Sequence, residues 1–190
     1  TCLFFIYITL TGFSLAVITN VSRAFGKEDT QALRINFRMG LWLVFAFSLF
    51  GLALVSKTEE FLTYLGQDQN IVGIISQYIE VVQWMMPFLL LTYVIKAFLI
   101  SVKKQKVVLA ISILGLTSNF VFNYLFIFGN FGFPELGISG VAYSSLLTSV
   151  AMMLSGLLYI HFSDLNQMQI FKDFFVFFVR YLIIRPRERQ

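Results

Sequence analysis

The chain has 190 residues, of which 58% are hydrophobic and 13% charged, with a mean hydropathy of +0.80 and a net charge of +4. Soluble domains carry about 25% charged residues, so this composition excludes an ordinary soluble domain and implies that lipid is the solvent. One Cys (Cys2) and one His (His161) exclude a disulfide framework and a Cys/His metal cluster.

Five apolar segments are long enough to cross ~30 Å of hydrocarbon at ~1.5 Å per residue. They lie near residues 1–21, 37–56, 72–100, 107–128 and 139–161. The reading is an all-α polytopic membrane protein, an antiparallel transmembrane helix bundle of five spans plus a C-terminal interfacial or partial helix. The first segment opens with Thr1, Cys2, Leu3 and Phe4, without the basic start or small-residue cleavage site of a signal peptide. Residue 1 is therefore expected to lie inside a longer protein.

Between the spans, charge alternates. The first connection, from Arg23 to Arg38, sums to +2, and the second, from Lys57 to Asp68, to −2. Lys103, Lys104 and Lys106 make the third +3, and the fourth holds only Glu135. Positive-inside bias then places Thr1 outside and the loops near residues 30 and 104 in the cytoplasm. The basic charge reports topology, and no nucleic-acid partner is implied. Pro87, near the middle of the third span, frees the carbonyl of Gln83 and predicts a kink. In the same span Glu80 lies with Gln77 and Gln83 at i, i+3 spacing, an intramembrane carboxylate either on a transport path or reaching back to the interface. Lys96, about a turn from the inner end, is expected to snorkel to the cytoplasmic interface.

The fourth span carries two carboxamides four apart, Asn119 and Asn123, on one face, with Gly115 and Ser112 continuing that stripe inward. Antiparallel to it, the fifth span offers Ser145 at about the depth of Asn123, with Thr148 and Ser149 on the next turn. Two readings stay open. Such groups bridge membrane helices at ~0.6 kcal/mol per contact, with small residues allowing close approach. Alternatively, their oxygens are hard ligands for Na⁺, lacking only a carboxylate for charge balance. Phe47, Phe50, Tyr93, Phe122 and Phe126 are candidates to line an aromatic cavity for organic cations. Ser, His and Asp do not cluster as hydrolytic chemistry requires, and no phosphate-cradling G-x-x-x-x-G-K loop is present, so no enzyme and no ATP drive is expected. Residues 162–190, with Lys172, Asp173 and Arg180 spaced to leave one apolar face, read as an amphipathic helix in the cytoplasmic interface or the start of a sixth span, the former preferred.

Three stretches resemble one family. GFSLAVITNVSRAFGKED (12–29) looks like the second helix and first loop of the multidrug and toxic compound extrusion (MATE) transporters, with the Ser-Arg-x-x-Gly-x-x-Asp pattern of Ser22 to Asp29. Arg23 and Gly26 belong to that loop signature. YIEVVQWMMPFLLL (78–91) resembles the family's fourth helix with its mid-helix Pro. SNFVFNYLFIFGNFGFPELGISGVAYSS (118–145) resembles its Asn-x-x-x-Asn-Tyr, Gly, Pro-x-Leu-Gly-x-x-Gly-x-Ala segment.

The resemblance implies that residues 1–161 form most of the N-terminal lobe, the second to sixth helices of a twelve-helix transporter, and that 162–190 form a cytoplasmic inter-lobe linker. It implies a cation-binding site at Asn119, Asn123 and Ser145, completed by an Asp on a first helix that would precede Thr1. Na⁺ is a possible metal there, and Na⁺ or H⁺ is the coupling ion, with no other cofactor. Glu80, Gln83, Pro87, Phe122 and Phe126 become candidates for a substrate path. The expected activity is export of amphipathic, often cationic organic compounds, in a bacterial plasma membrane. Implied partners are the small-molecule substrate, the lipid bilayer, the first helix and the C-terminal lobe. A lipid-linked oligosaccharide flippase of the same superfamily, or a non-transporting membrane scaffold, are the alternatives. The chain departs from the family in having Asn123 where some members have Asp, which argues against proton binding there. It also lacks the Gly-x-Pro opening of a seventh helix after residue 165.

Overall fold

The computed structural model describes residue 12, residues 17–64, residue 66 and residues 69–165. Most of the expected first span and all of 166–190, including the expected amphipathic helix, lie outside the described residues. Those described are almost wholly helical. α1 covers residues 17–26, followed by α2 (Thr30–Val55), α3 (Thr58–Tyr64), α4 (Gln69–Val82), α5 (Met85–Ser101), α6 (Gln105–Phe128) and α7 (Gly137–Phe162). Three helical stretches are long and apolar enough to cross a membrane: Thr30–Tyr64, Gln105–Phe128 and Gly137–Phe162. The bent pair α4–α5 makes a fourth. This is an all-α membrane protein.

The boundaries follow local chemistry. α2 begins seven residues before the expected span because Asp29 caps it, its Oδ1 accepting the Ala32 N–H at 2.9 Å. Arg34 and Arg38, expected in the loop, therefore lie inside α2, and Arg38 is 5% exposed. Arg23 and Gly26 fall at the end of α1, with the turn itself at Lys27 and Glu28. α6 stops at Gly129, whose left-handed φ of 66° is open to glycine without the Cβ penalty.

The third expected span is broken by 44°, and the break precedes Pro87. α4 ends at Val82 and α5 restarts at Met85, so Pro87 sits in the first turn of a new helix, where a missing N–H costs nothing. The Gln83 carbonyl accepts the Met86 N–H at 3.2 Å, so it is not left unpaired.

The core gathers at the end of the bundle where α2 starts and α5 finishes, here called the basic end after Lys103 and Lys104. Val21, Leu33, Phe37, Val94, Phe98 and Leu99 are essentially inaccessible there, with the Phe37 and Phe98 rings 4.4 Å apart. Ser101 Oγ donates to the Ala97 carbonyl of its own helix at 2.8 Å and shares that proton with the Ile18 carbonyl of α1 at 3.2 Å. Away from this cluster, Leu116 and Phe120 of α6 are 76% and 74% exposed, as side chains that face lipid tails would be.

α6 packs chiefly on α7. Lipid tails are as apolar as leucine, so closeness of approach holds membrane helices together. A Cβ on Gly140 would lie 2.6 Å from the Phe126 carbonyl oxygen, and the Met152 sulfur fills the space that a Cβ on Gly115 would need. Gly156 makes the corresponding approach to Ile95 of α5. Gly140→Val is expected to cost about 1–3 kcal/mol, because backbone rather than a flexible side chain blocks the new group. Gly73→Ala, at a position with nothing within 4 Å, should leave stability unchanged or slightly raised. Thermal unfolding in detergent measures both, and equal midpoints for the two variants would contradict the close-approach account.

Candidate cation site

The two glycine contacts fix the register of α6 against α7. Phe126 lies opposite Gly140, and Gly115 opposite Met152, so residue numbers across the pair add to nearly a constant. Asn119 then lies level with Thr148, and Asn123 level with Ser144. Gly140, Ser144, Thr148 and Met152 follow one another at i, i+4 spacing on the face of α7 turned to α6. Gly115, Asn119 and Asn123 do the same on α6.

Within that interface Asn123 Nδ2 donates to Asn119 Oδ1 at 2.9 Å. The donation locks the two amides together and occupies one of the two lone pairs of the Asn119 oxygen. The Asn123 Oδ1 is buried and accepts nothing. The Thr148 hydroxyl is buried without a partner as well. Buried polar atoms are ordinarily paired, and an open acceptor costs about 1–3 kcal/mol. By contrast Ser144 Oγ donates to the Gly140 carbonyl at 2.7 Å, so its donor is already used within α7.

Ser145 lies about 100° around α7 from Ser144 and is partly buried; its carbonyl accepts the Ser149 hydroxyl at 2.9 Å. Depth alone matched it to Asn123. On the α6-facing side the register brings Ser144 level with Asn123 and Thr148 level with Asn119, and of the two hydroxyls Thr148 is the one without a partner. The signal was present in the sequence as the Gly140-x-x-x-Ser144-x-x-x-Thr148 spacing, which marks the close-packed face.

The other expected site residues form separate groups. Glu80 is exposed on α4, and Gln83 Nε2 donates to its carbonyl at 3.1 Å. No hydrogen bond joins either of them to Asn119, Asn123 or Ser145 among the described residues. Pro87 begins α5. Phe122 and Phe126 contact each other with ring centroids 6.4 Å apart, and Phe126 continues edge-to-face onto Phe133 at 5.3 Å. Phe47 and Phe50 are exposed. An apolar cavity of about 350 Å³ does open between α2, α5 and α7, and its aromatic walls are Trp42 and Phe45, with Leu91, Ile95 and Met153. Both aromatic walls lie on the α2 face turned toward α5 and α7.

What the amide–hydroxyl cluster offers chemically is neutral oxygen. Hard monovalent cations accept carbonyl and hydroxyl ligands, and the open Asn123 oxygen suits that role. The described residues hold no group of three or more His, Cys, Asp or Glu arranged to bind a metal.

Comparison with known proteins bears on the same segment. The MatE family profile matches residues 1–125. The chain belongs to the multidrug and toxic compound extrusion family. Among curated relatives, it is 34% identical over 143 residues to the probable multidrug resistance protein NorM of Rhizobium meliloti, covering 75% of the chain and 31% of the relative. It is 30% identical over 146 residues to the protein of the same name from Agrobacterium fabrum, covering 77% and 31%. The corresponding Bacillus licheniformis protein is 30% identical over 176 residues, covering 90% and 38%. The chain spans about a third of the length of the curated relatives it matches.

The α6–α7 register in this MATE chain is directly testable. With Cys2→Ser as background, the pair Asn119→Cys/Thr148→Cys should crosslink under mild oxidation, and Asn119→Cys/Ser145→Cys should not. Equal yields on a gel would mean that the interface is not turned as described.

Proposed function

We propose that this chain forms part of a cation-coupled antiporter that exports amphipathic, often cationic organic compounds across a bacterial plasma membrane. One observation carries the reading: in a MATE-family chain, a buried Asn123 oxygen without a donor lies within a turn of an unpartnered Thr148 hydroxyl on the facing helix. Helix glue explains an amide that is fully bonded. It leaves unexplained an acceptor kept open in a dry interface, and a cation would satisfy that acceptor. Carboxamides do not titrate near neutral pH, so the pair favours Na⁺ over H⁺ at these positions. The site consists of Asn119, Asn123 and the α7 hydroxyls of Thr148 or Ser145, with charge balance from a carboxylate outside the described residues.

The substrate class draws support from the α2–α5–α7 cavity, whose apolar walls would hold the hydrocarbon part of an amphipathic molecule. The names of the relatives, probable multidrug resistance proteins, point the same way. In such a transporter two lobes rock about a central site, and a bound cation biases the equilibrium between outward-open and inward-open states by its difference in affinity for them. Sidedness in this reading follows the basic loops, with the Lys103–Lys104 end in the cytoplasm.

The test uses the full-length protein reconstituted in vesicles, with ethidium as probe and Na⁺ as the driving ion. Asn123→Leu should leave membrane insertion intact and lower Na⁺-dependent ethidium transport at least about tenfold, as loss of a metal-site group does. Undiminished Na⁺-driven transport by that variant would remove Asn123 from the site.

A further inference from the structure

Lys96 does not do what a lysine near the end of a membrane helix ordinarily does. It lies five residues from the Ser101 end of α5, about 7.5 Å in. Its four-carbon stem could carry the ammonium back to that end, the usual outcome for such a residue. Instead Nζ donates to Ser112 Oγ of α6 at 3.1 Å. Ser112 is seven residues from the Gln105 end of α6, about 10 Å in. The two helices are joined by the short turn at Val102–Lys104, so these depths are measured from the same end. The ammonium is drawn away from the basic end, toward the middle of the bundle. Among the described residues this is its hydrogen bond, and it has no carboxylate partner.

Ser112 holds its place by donating to the Val108 carbonyl at 2.9 Å. It is also the last polar member of the α6 stripe that continues through Gly115 to Asn119 and Asn123. The ammonium is therefore tethered to the face that carries the open amide. Along the helix it stands about 10 Å from Asn119 and about 16 Å from Asn123. A charge kept inside a membrane segment when a solvated position is within reach is a functional candidate.

We propose that the Lys96 ammonium sets the cation affinity of the Asn119–Asn123 site, acting through space as a fixed like charge that keeps bound Na⁺ releasable. The proposal rests on the reading of that site as a cation site. At an effective dielectric near 20, a unit charge at these distances weakens binding of a second by about fivefold to fifteenfold. The sign is fixed: removing the charge tightens Na⁺ binding. Lys96 touches neither the cation nor the substrate, so it is a positioning charge and not a ligand.

The experiment measures the Na⁺ concentration giving half-maximal ethidium transport in vesicles containing the full-length protein. Lys96→Met should lower that concentration about fivefold to fifteenfold, and Lys96→Arg should leave it at the wild-type value. Ser112→Ala, which frees the ammonium to move to the basic end, should shift it in the same direction by a smaller factor. Lys96→Gln and Ser112→Ala carry the test if the Met variant does not insert. A half-saturating Na⁺ concentration unchanged in Lys96→Gln and Ser112→Ala would overturn the proposal, as would loss of maximal rate without a shift, the mark of a purely structural role. Asn123→Leu in the same assay separates the two layers of inference. If it keeps wild-type Na⁺ dependence, the site itself is misassigned. If it loses that dependence while the Lys96 variants show no shift, only the electrostatic role fails.

Discussion

Everything specific about this bundle depends on how closely α6 and α7 approach each other. Lipid offers no hydrophobic reward for joining two apolar helices, so the pair must be held by contact geometry. Gly140 lies over the Phe126 carbonyl, at a distance from backbone that a larger side chain would forbid, and Gly115 leaves the space that the Met152 sulfur fills. That approach turns the amide face of α6 onto the Ser144–Thr148 face of α7 and buries the Asn123 Oδ1 and the Thr148 hydroxyl oxygen. It also makes an unsatisfied group expensive, because water cannot reach in to pair it. The open Asn123 oxygen has meaning only in that setting.

The bundle divides its labour along its length. At the basic end, α1, α2 and α5 form a close-packed core around Phe37 and Phe98, reinforced by the Ser101 bond to α1 and by the Asp29 cap. Toward the other end α4 and α5 part at Gln83–Trp84, and α6 leaves much of its surface open. The break before Pro87 fits this arrangement: each half keeps its backbone bonds, so bending there sacrifices no pairing.

Charge follows the same division. Lys103 and Lys104 stay at the turn, where water solvates them. Lys96, about two helical turns further in, is held on Ser112 at the inner end of the polar stripe. Its position connects the basic end, which topology requires, to the amides, which transport would require.

The sequence by itself determined the class, the helices and the family. Hydropathy over roughly twenty residues is a sum, insensitive to neighbours, so α6 and α7 were found within two residues of their ends. The three family motifs were legible because they are local. Asn119 and Asn123 could be put on one face by their four-residue spacing alone, and the structure joins them by a hydrogen bond. The start of α2 was missed because a cap, and not hydropathy, sets it. The break came before Pro87 because Pro is accommodated in a first turn. What only the tertiary structure decided was rotation and pairing: that Ser144 and Thr148 share the α6-facing side of α7 while Ser145 lies about 100° round from Ser144, and that Lys96 bonds to Ser112. Depth along a helix can be counted from a sequence. The angle at which one helix meets another is fixed by which small residues touch which backbone, and that is a property of the packed pair.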